Sequence, residues 1–225
     1  MDDARRLAAG GAAAGTVAGA DGQSAGRGRR GRGWYSKPGD DLLVSVVLRP
    51  AEEAAGRLSM LAGLAAARAV DRLTGRRSTI KWPNDVRVDG RKICGILVET
   101  AAEGRRLGAV AGFGLNVNFD PSAWPELGST ATSLALLAGG ARSRVEALRA
   151  LLGELNELHD DADQLRRSWS ERIDTIGQRV VLAAGDELVH GSAEGVDDDG
   201  ALLVRRDYGE TFAYSAGEVT VQSPR

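Results

Sequence analysis

A single cysteine in 225 residues, Cys94, excludes an intrachain disulfide, and its place in an apolar run reads as a packed structural thiol in a reducing compartment. No run approaches the roughly 20 apolar residues of a membrane span. The alanine- and glycine-rich start carries Asp2, Asp3, Arg5 and Arg6, which is not the charged-then-apolar order of a secretion signal. A cytoplasmic protein away from membranes is the expectation. An excess of either charge is also missing: 29 basic and 31 acidic residues leave −2, so the surface as a whole is not the footprint of a nucleic-acid binder. Any affinity for anions must be local. The two histidines, His159 and His190, lack the spacing of a zinc site and read as ordinary surface residues. What is present is a globular composition, 43% hydrophobic and 27% charged, in a chain long enough for one domain followed by a small one.

Asp2 to Ala9 reads as a short amphipathic helix ended by Gly10 and Gly11. Thr16 to Ala20 is a candidate strand, and the glycines of 22 to 33 force a loop. Leu42 to Arg49 is nearly all apolar, as in a strand covered on both faces, and Ala51 to Leu73 repeats at helical spacing. Strands are expected at Thr79 to Trp82, Ile93 to Glu99 and Leu107 to Asn118, with Asp89-Gly90 as a hairpin turn, so this sheet is mixed or antiparallel. Ser143 and Glu146 form a capping box that opens a second long helix, with a break expected near Asp160. Beyond Ile176-Gly177 five short alternating strands read as a small β-barrel, with the boundary near Asp174: residues 1–173, then 174–225. The sequence holds no internal repeat.

Between Gly26 and Gly33 four arginines alternate with four glycines, so backbone N–H groups and guanidinium forks can converge on one anion. A solvated basic loop or a disordered Arg-Gly segment that binds RNA would look the same. Its single copy, followed at once by Trp34 and a buried strand, argues against the RNA-binding tail. Lys81-Trp82-Pro83-Asn84-Asp85 sets a cation, an aromatic, a fixed φ and two polar groups at a strand end, aimed at a ligand or metal, or else is a plain hairpin turn. Lys92 precedes an apolar strand containing Gly95, and Gly112-Phe113-Gly114-Leu115-Asn116 repeats the device on the next strand. These glycines mark close approach of a ligand, or a bulge.

In this order, GRGRRGRGW ending at Trp34, KWPND at 81–85, GRKICGILVE at 90–99 and GFGLNVN at 112–118 resemble the biotin protein ligase family, and the likeness covers nearly the whole chain. The resemblance implies an α+β fold of the class II synthetase-like biotin/lipoate ligase type: a mixed β-sheet backed by helices, then a small C-terminal β-barrel. It implies formation of biotinyl-AMP from biotin and MgATP, and biotin transfer to a lysine of a biotin carboxyl carrier domain of acetyl-CoA carboxylase or a related carboxylase. Arg29 and Lys92 match the catalytic positions. Gln23, Gly26, Arg27, Gly28, Arg29, Lys92, Gly95 and Gly112 match the biotin site, with Gly95 and Gly112 keeping backbone close to the rings. Arg32, Trp34, Asn84, Asp85 and Asn116 match the ATP site, with Mg2+ borne on the substrate phosphates. The family also implies a monomer or homodimer and no resident metal. A loop from Gly26 to Gly33 that closes over the water-sensitive adenylate is expected.

The chain departs from the family at its start, where a strand ending in a Ser/Thr-Thr-Asn type of motif lines the biotin pocket but Met1-Asp2-Asp3 stands here. A start upstream of Met1 is the expectation, and a truncated, binding-only form is the alternative. With no winged helix ahead of the catalytic part, a repressor role and nucleic-acid binding are not expected. A lipoate-type acyl ligase, which shares the fold and the adenylate chemistry, is the alternative enzyme.

Overall fold

Strand alternation divides the first sheet into one face covered by the long helices and a second that only the short N-terminal helix covers in part, leaving the rest open, and this division positions the site. The structure is a computed structural model that describes residues 1–31, 33–103, 106–158 and 162–222. Its elements begin with α1 (Asp2–Ala9), β1 (Val17–Ala20), β2 (Leu42–Leu48), α2 (Leu58–Thr74), β3 (Thr79–Lys81), β4 (Asp85–Val88), β5 (Arg91–Glu103) and β6 (Arg106–Leu115). They continue with α3 (Leu134–Ala138), α4 (Arg144–Glu157), α5 (Ala162–Ser170), β7 (Arg179–Ala184), β8 (Glu187–Val196), β9 (Leu202–Arg206), β10 (Thr211–Tyr214) and β11 (Glu218–Val221).

The first sheet has six strands in the order β1-β2-β6-β5-β4-β3. Its ladders are antiparallel, and parallel pairing enters through the isolated bridges Ile80 to Ile173 and Lys92 to Ala131. The expected hairpin turn lies between β4 and β5, where Asp89 and Gly90 take φ of 50° and 74° as that turn type requires. The β4 strand itself had not been expected, because Asn84-Asp85 resembles a turn.

Alanines let α2 approach the sheet closely, and Met60, Leu64 and Val70 of α2 are buried in one core with Ile80, Val86, Ile93 and Phe113. Each such side chain contributes about 1.5–3 kcal/mol by leaving water. The helix begins later than expected: Glu52–Arg57 is a 3-10 turn, and α2 starts only at Leu58. Its far end is closed by Gly75 in the left-handed region, φ 67°, whose N–H donates to the Asp71 carbonyl. Arg172 bonds the Asp71 carboxylate at 2.8 Å, tying the end of α2 to the chain beyond α5.

Ser143 caps α4, its Oγ accepting from the Glu146 N–H, and the helical stretch is divided into α4 and α5 on either side of Asp160, where a break was expected. His159 and Asp160 lie outside the described residues. His190 is exposed on β8.

The last five strands form an antiparallel sheet of order β10-β9-β8-β7-β11 that is open rather than a closed barrel. Closure requires the edge strands β10 and β11 to pair, and no such ladder exists among the described residues. Alternation in the sequence identifies strands, but carries no information on whether the two edges meet. This sheet docks through its β8–β9 turn. Trp82 Nε1 donates to the Gly200 carbonyl at 3.0 Å, and a Cβ on Gly200 would meet Met60 and Trp169, so buried side chains form one cluster spanning both sheets.

Candidate active-site cleft

Residues that alternate toward the open face of the first sheet converge on a cleft of about 540 Å3, ordinary for a small-molecule site. Register places Lys81 opposite Asp85, Asp85 opposite Gly95, Gly95 opposite Gly114, and Leu97 opposite Gly112, with Gly112 in turn opposite Ser45. The sheet therefore presents charge on β3, β4 and the start of β5, and small or apolar groups on β6, β2 and the middle of β5.

Lys92 reaches this face because of a bulge. Ile93 and Cys94 are adjacent yet both buried in the helix-side core, which strict alternation forbids. The register shift between Val86 and Arg87 accommodates the extra residue and returns Lys92 to the open face opposite Arg87. Lys92 Nζ is bonded to the Asp85 carboxylate at 2.7 Å and stands 5.3 Å from the centre of the Trp34 ring. Its backbone is clamped from the other side, donating to Thr130 and accepting from the Thr132 N–H.

The arginine-glycine loop crosses the top of the cleft. Gly26 accepts from the Trp34 N–H at 3.0 Å, and Arg27 bridges Gly33, so the loop closes on itself. Arg27, Gly28, Arg29, Gly33 and Trp34 line the cleft with Gln23. Arg27 is also bonded to Asp2 of α1, and together Arg5 and Arg27 hold the Asp2 carboxyl down at about 2. The loop is thereby tethered to the helix that packs Ala4 and Ala8 on Val47 and Val110.

The glycines of β5 and β6 serve a purpose visible only here. A Cβ on Gly114 would lie 2.6 Å from Trp34 Cε2, and one on Gly95 would lie 2.9 Å from Trp34 Cζ3. The indole thus rests flat on two bare strands. A Cβ on Gly112 would strike the Met1 thioether, whose sulfur also accepts from Ser45 Oγ at 3.3 Å. The space expected to approach a bound ring is lined by Trp34 at Gly95 and by Met1 at Gly112.

Asn84 and Asn116 are braced by their amides, Nδ2 donating to Ile96 O at 2.7 Å and to Thr132 O at 2.9 Å respectively. Both line the cleft with Asp85, Lys92, Gly95 and Gly112. Of the residues expected at the site, Gly26 supports the loop from outside the lining, and Arg32 lies outside the described residues. Gly114, Ser45, Leu97 and Arg87 were missed as site residues. Alternation along each strand would have found Arg87 from Asp85, Leu97 from Gly95 and Gly114 from Gly112; Ser45, on β2, needs the register. Cys94 faces away, and burial pushes its thiol up to about 12, which agrees with a structural role. The described residues hold no cluster of three metal-ligating side chains and no helix long and apolar enough to cross a membrane.

A mixed sheet that carries such a cleft, followed by a small antiparallel sheet, is the architecture of a biotin/lipoate ligase, and comparison with known proteins agrees. The chain matches the Biotin/lipoate A/B protein ligase family over residues 6–116 and the Biotin protein ligase C terminal domain over 175–221. It is 34% identical over 222 residues to the bifunctional ligase/repressor BirA of Bacillus subtilis, covering 95% of this chain and 68% of that protein. To the biotin--[acetyl-CoA-carboxylase] ligase of Mycobacterium tuberculosis it is 37% identical over 225 residues, covering 95% and 82%. The structure of Aquifex aeolicus biotin protein ligase in complex with biotin and ATP superposes with a TM-score of 0.81 at 28% identity, covering 98% of this chain and 94% of that one. The chain belongs to the biotin protein ligase family.

Proposed function

We propose that the cleft joins biotin to AMP and passes the biotinyl group to a lysine of a biotin carboxyl carrier domain, each residue acting as its position allows. The family's function, protein biotinylation with biotin and ATP, supports this reading. The observation that carries it is the split character of one sheet face: Lys92 stands between a cationic end and the small, apolar end formed by Gly112, Ser45 and Leu97.

Biotin's ring system takes the small end, where the Met1 side chain now against Gly112 and Ser45 has to give way, with Gln23 and the Arg27–Gly28 backbone at its rim, and its carboxylate then points toward Lys92 and Arg29. A carboxylate and a polyphosphate repel one another, so fixed cations must hold them within bonding distance. The carboxylate oxygen bonds to the α-phosphorus, the bond to the bridging oxygen breaks, and its electron pair departs with pyrophosphate. The acceptor amine next attacks the acyl carbon and AMP leaves. Asp85 keeps Lys92 aimed, Trp34 covers the adenylate, and Asn84 and Asn116 face the nucleotide.

Magnesium belongs to this scheme as part of the substrate MgATP. Among the described residues Asp85 is the one carboxylate that lines the cleft, which fits an ion held mainly by phosphates and water and fits no all-protein cage.

The test is incubation with ATP, Mg2+ and either biotin or lipoate, followed by measurement of pyrophosphate and of acceptor labelling. Biotin-dependent release and labelling are expected. Release with lipoate alone would turn the reading to a lipoate ligase, and release with neither would overturn it. Lys92→Ala should lower biotin-dependent release by about tenfold or more, as expected for losing one charge-assisted contact.

A further inference from the structure

We infer that Arg87 binds the pyrophosphate portion of the nucleotide, an inference that rests on reading the cleft as an adenylation site. Arg87 stands on β4 with its side chain on the open face, lines the cleft, and is 26% exposed. Its Nε is buried and has no hydrogen-bond partner among the described residues, and its nearest carboxylate, Asp174, stands 3.8 Å from Nη1, beyond a hydrogen bond. Thr79 Oγ1 already bonds that same Asp174 oxygen at 3.0 Å. The guanidinium thus makes no hydrogen bond among the described residues, which leaves its terminal N–H groups for an anion in the cleft.

The position selects the ligand. Arg87 is directly opposite Lys92 across the β4–β5 ladder, on the side away from Gly112 and Ser45. With the α-phosphate at Lys92, the remaining phosphates extend about one strand spacing, roughly 4.8 Å, toward β4 and β3. Lys81 lines the cleft there too. The charged groups facing that end are Lys81, Arg87 and Lys92 against Asp85 and Asp174, and Asp85 is engaged by Lys92. Three cations against two carboxylates leave a net positive charge, which draws an anion to this end. Arg87 offers a planar fork matched to two phosphate oxygens and stabilises charge that builds on the departing pyrophosphate.

The second half-reaction supplies the control, because transfer from preformed biotinyl-AMP to the acceptor involves no pyrophosphate. Arg87→Gln should raise the KM for ATP about tenfold or more and weaken inhibition by added inorganic pyrophosphate by a similar factor. Acceptor labelling from preformed biotinyl-AMP should stay within about twofold of the wild-type rate. Arg87→Lys, which keeps the charge, should recover part of the ATP affinity, and it carries the test if the glutamine variant does not fold. An unchanged KM for ATP would overturn the inference, as would a parallel fall in labelling from biotinyl-AMP. Failure of the underlying reading shows elsewhere, as wild-type protein that gives no biotin-dependent exchange of pyrophosphate into ATP.

Discussion

Gly114→Ala tests whether the bare strands exist to seat Trp34. Gly114 is not among the glycines with positive φ, so its strand conformation suits alanine and the backbone itself raises no objection. The obstacle is the indole: the three atoms nearest the new methyl all belong to Trp34, at 2.6, 2.8 and 3.1 Å. Ordinary carbon contacts lie at roughly 3.5–4.0 Å, so the ring must move by about 1 Å. Overpacking of this kind costs about 1–3 kcal/mol. In a Trp34→Ala background the obstacle is gone, and replacing a strand glycine should instead gain about 0.5–1 kcal/mol. The sign of the substitution therefore reverses between backgrounds, and a double-mutant cycle from urea denaturation of the four proteins should return a coupling of about 1.5 kcal/mol or more. The KM for ATP should rise in Gly114→Ala alone. Equal effects of Gly114→Ala in both backgrounds would refute the platform.

Three further outcomes follow from buried groups. With its thiol pushed up to about 12, Cys94 should resist a disulfide reagent at about pH 8 in native protein and react fully once unfolded; stoichiometric reaction of the native protein would contradict the packing. Burial raises the Asp41 carboxyl above its usual range despite the Val117 N–H that bonds it, so the folded state holds this proton more tightly than the unfolded one. Asp41 should therefore cost stability as pH climbs from the ordinary carboxyl range, about 4, through that raised value, and Asp41→Asn should flatten this fall in the urea midpoint; a slope equal to wild type would remove Asp41 as its source. Trp82→Phe takes the Nε1 donor from the Gly200 carbonyl and should lower stability by about 1–3 kcal/mol, an expectation that an unshifted midpoint would defeat.

Much of this was legible in order along the chain. The helix Asp2–Ala9, the Ser143 cap, the Asp89-Gly90 turn and the five C-terminal strands are local, set by periodicity and turn chemistry within a few residues. The motifs likewise named Arg29, Lys92, Asn84, Asp85 and Asn116, which the fold brings to one cleft. Less was legible at Gly95 and Gly112, where glycine signals a close approach without saying what approaches.

The sequence by itself determined the family, most of the element types and the residues that carry charge, because these depend on short-range pattern. Only the tertiary structure decided which face each residue joins. The Ile93 bulge, a shift of one residue against β4, sets Lys92 and Arg87 side by side over the cleft and turns Cys94 away from it. Side chains alternate with period two, so one extra residue reverses every assignment beyond it, and no local signal marks where it falls. The open edges β10 and β11 are decided the same way, by pairing across distance rather than by anything either strand contains.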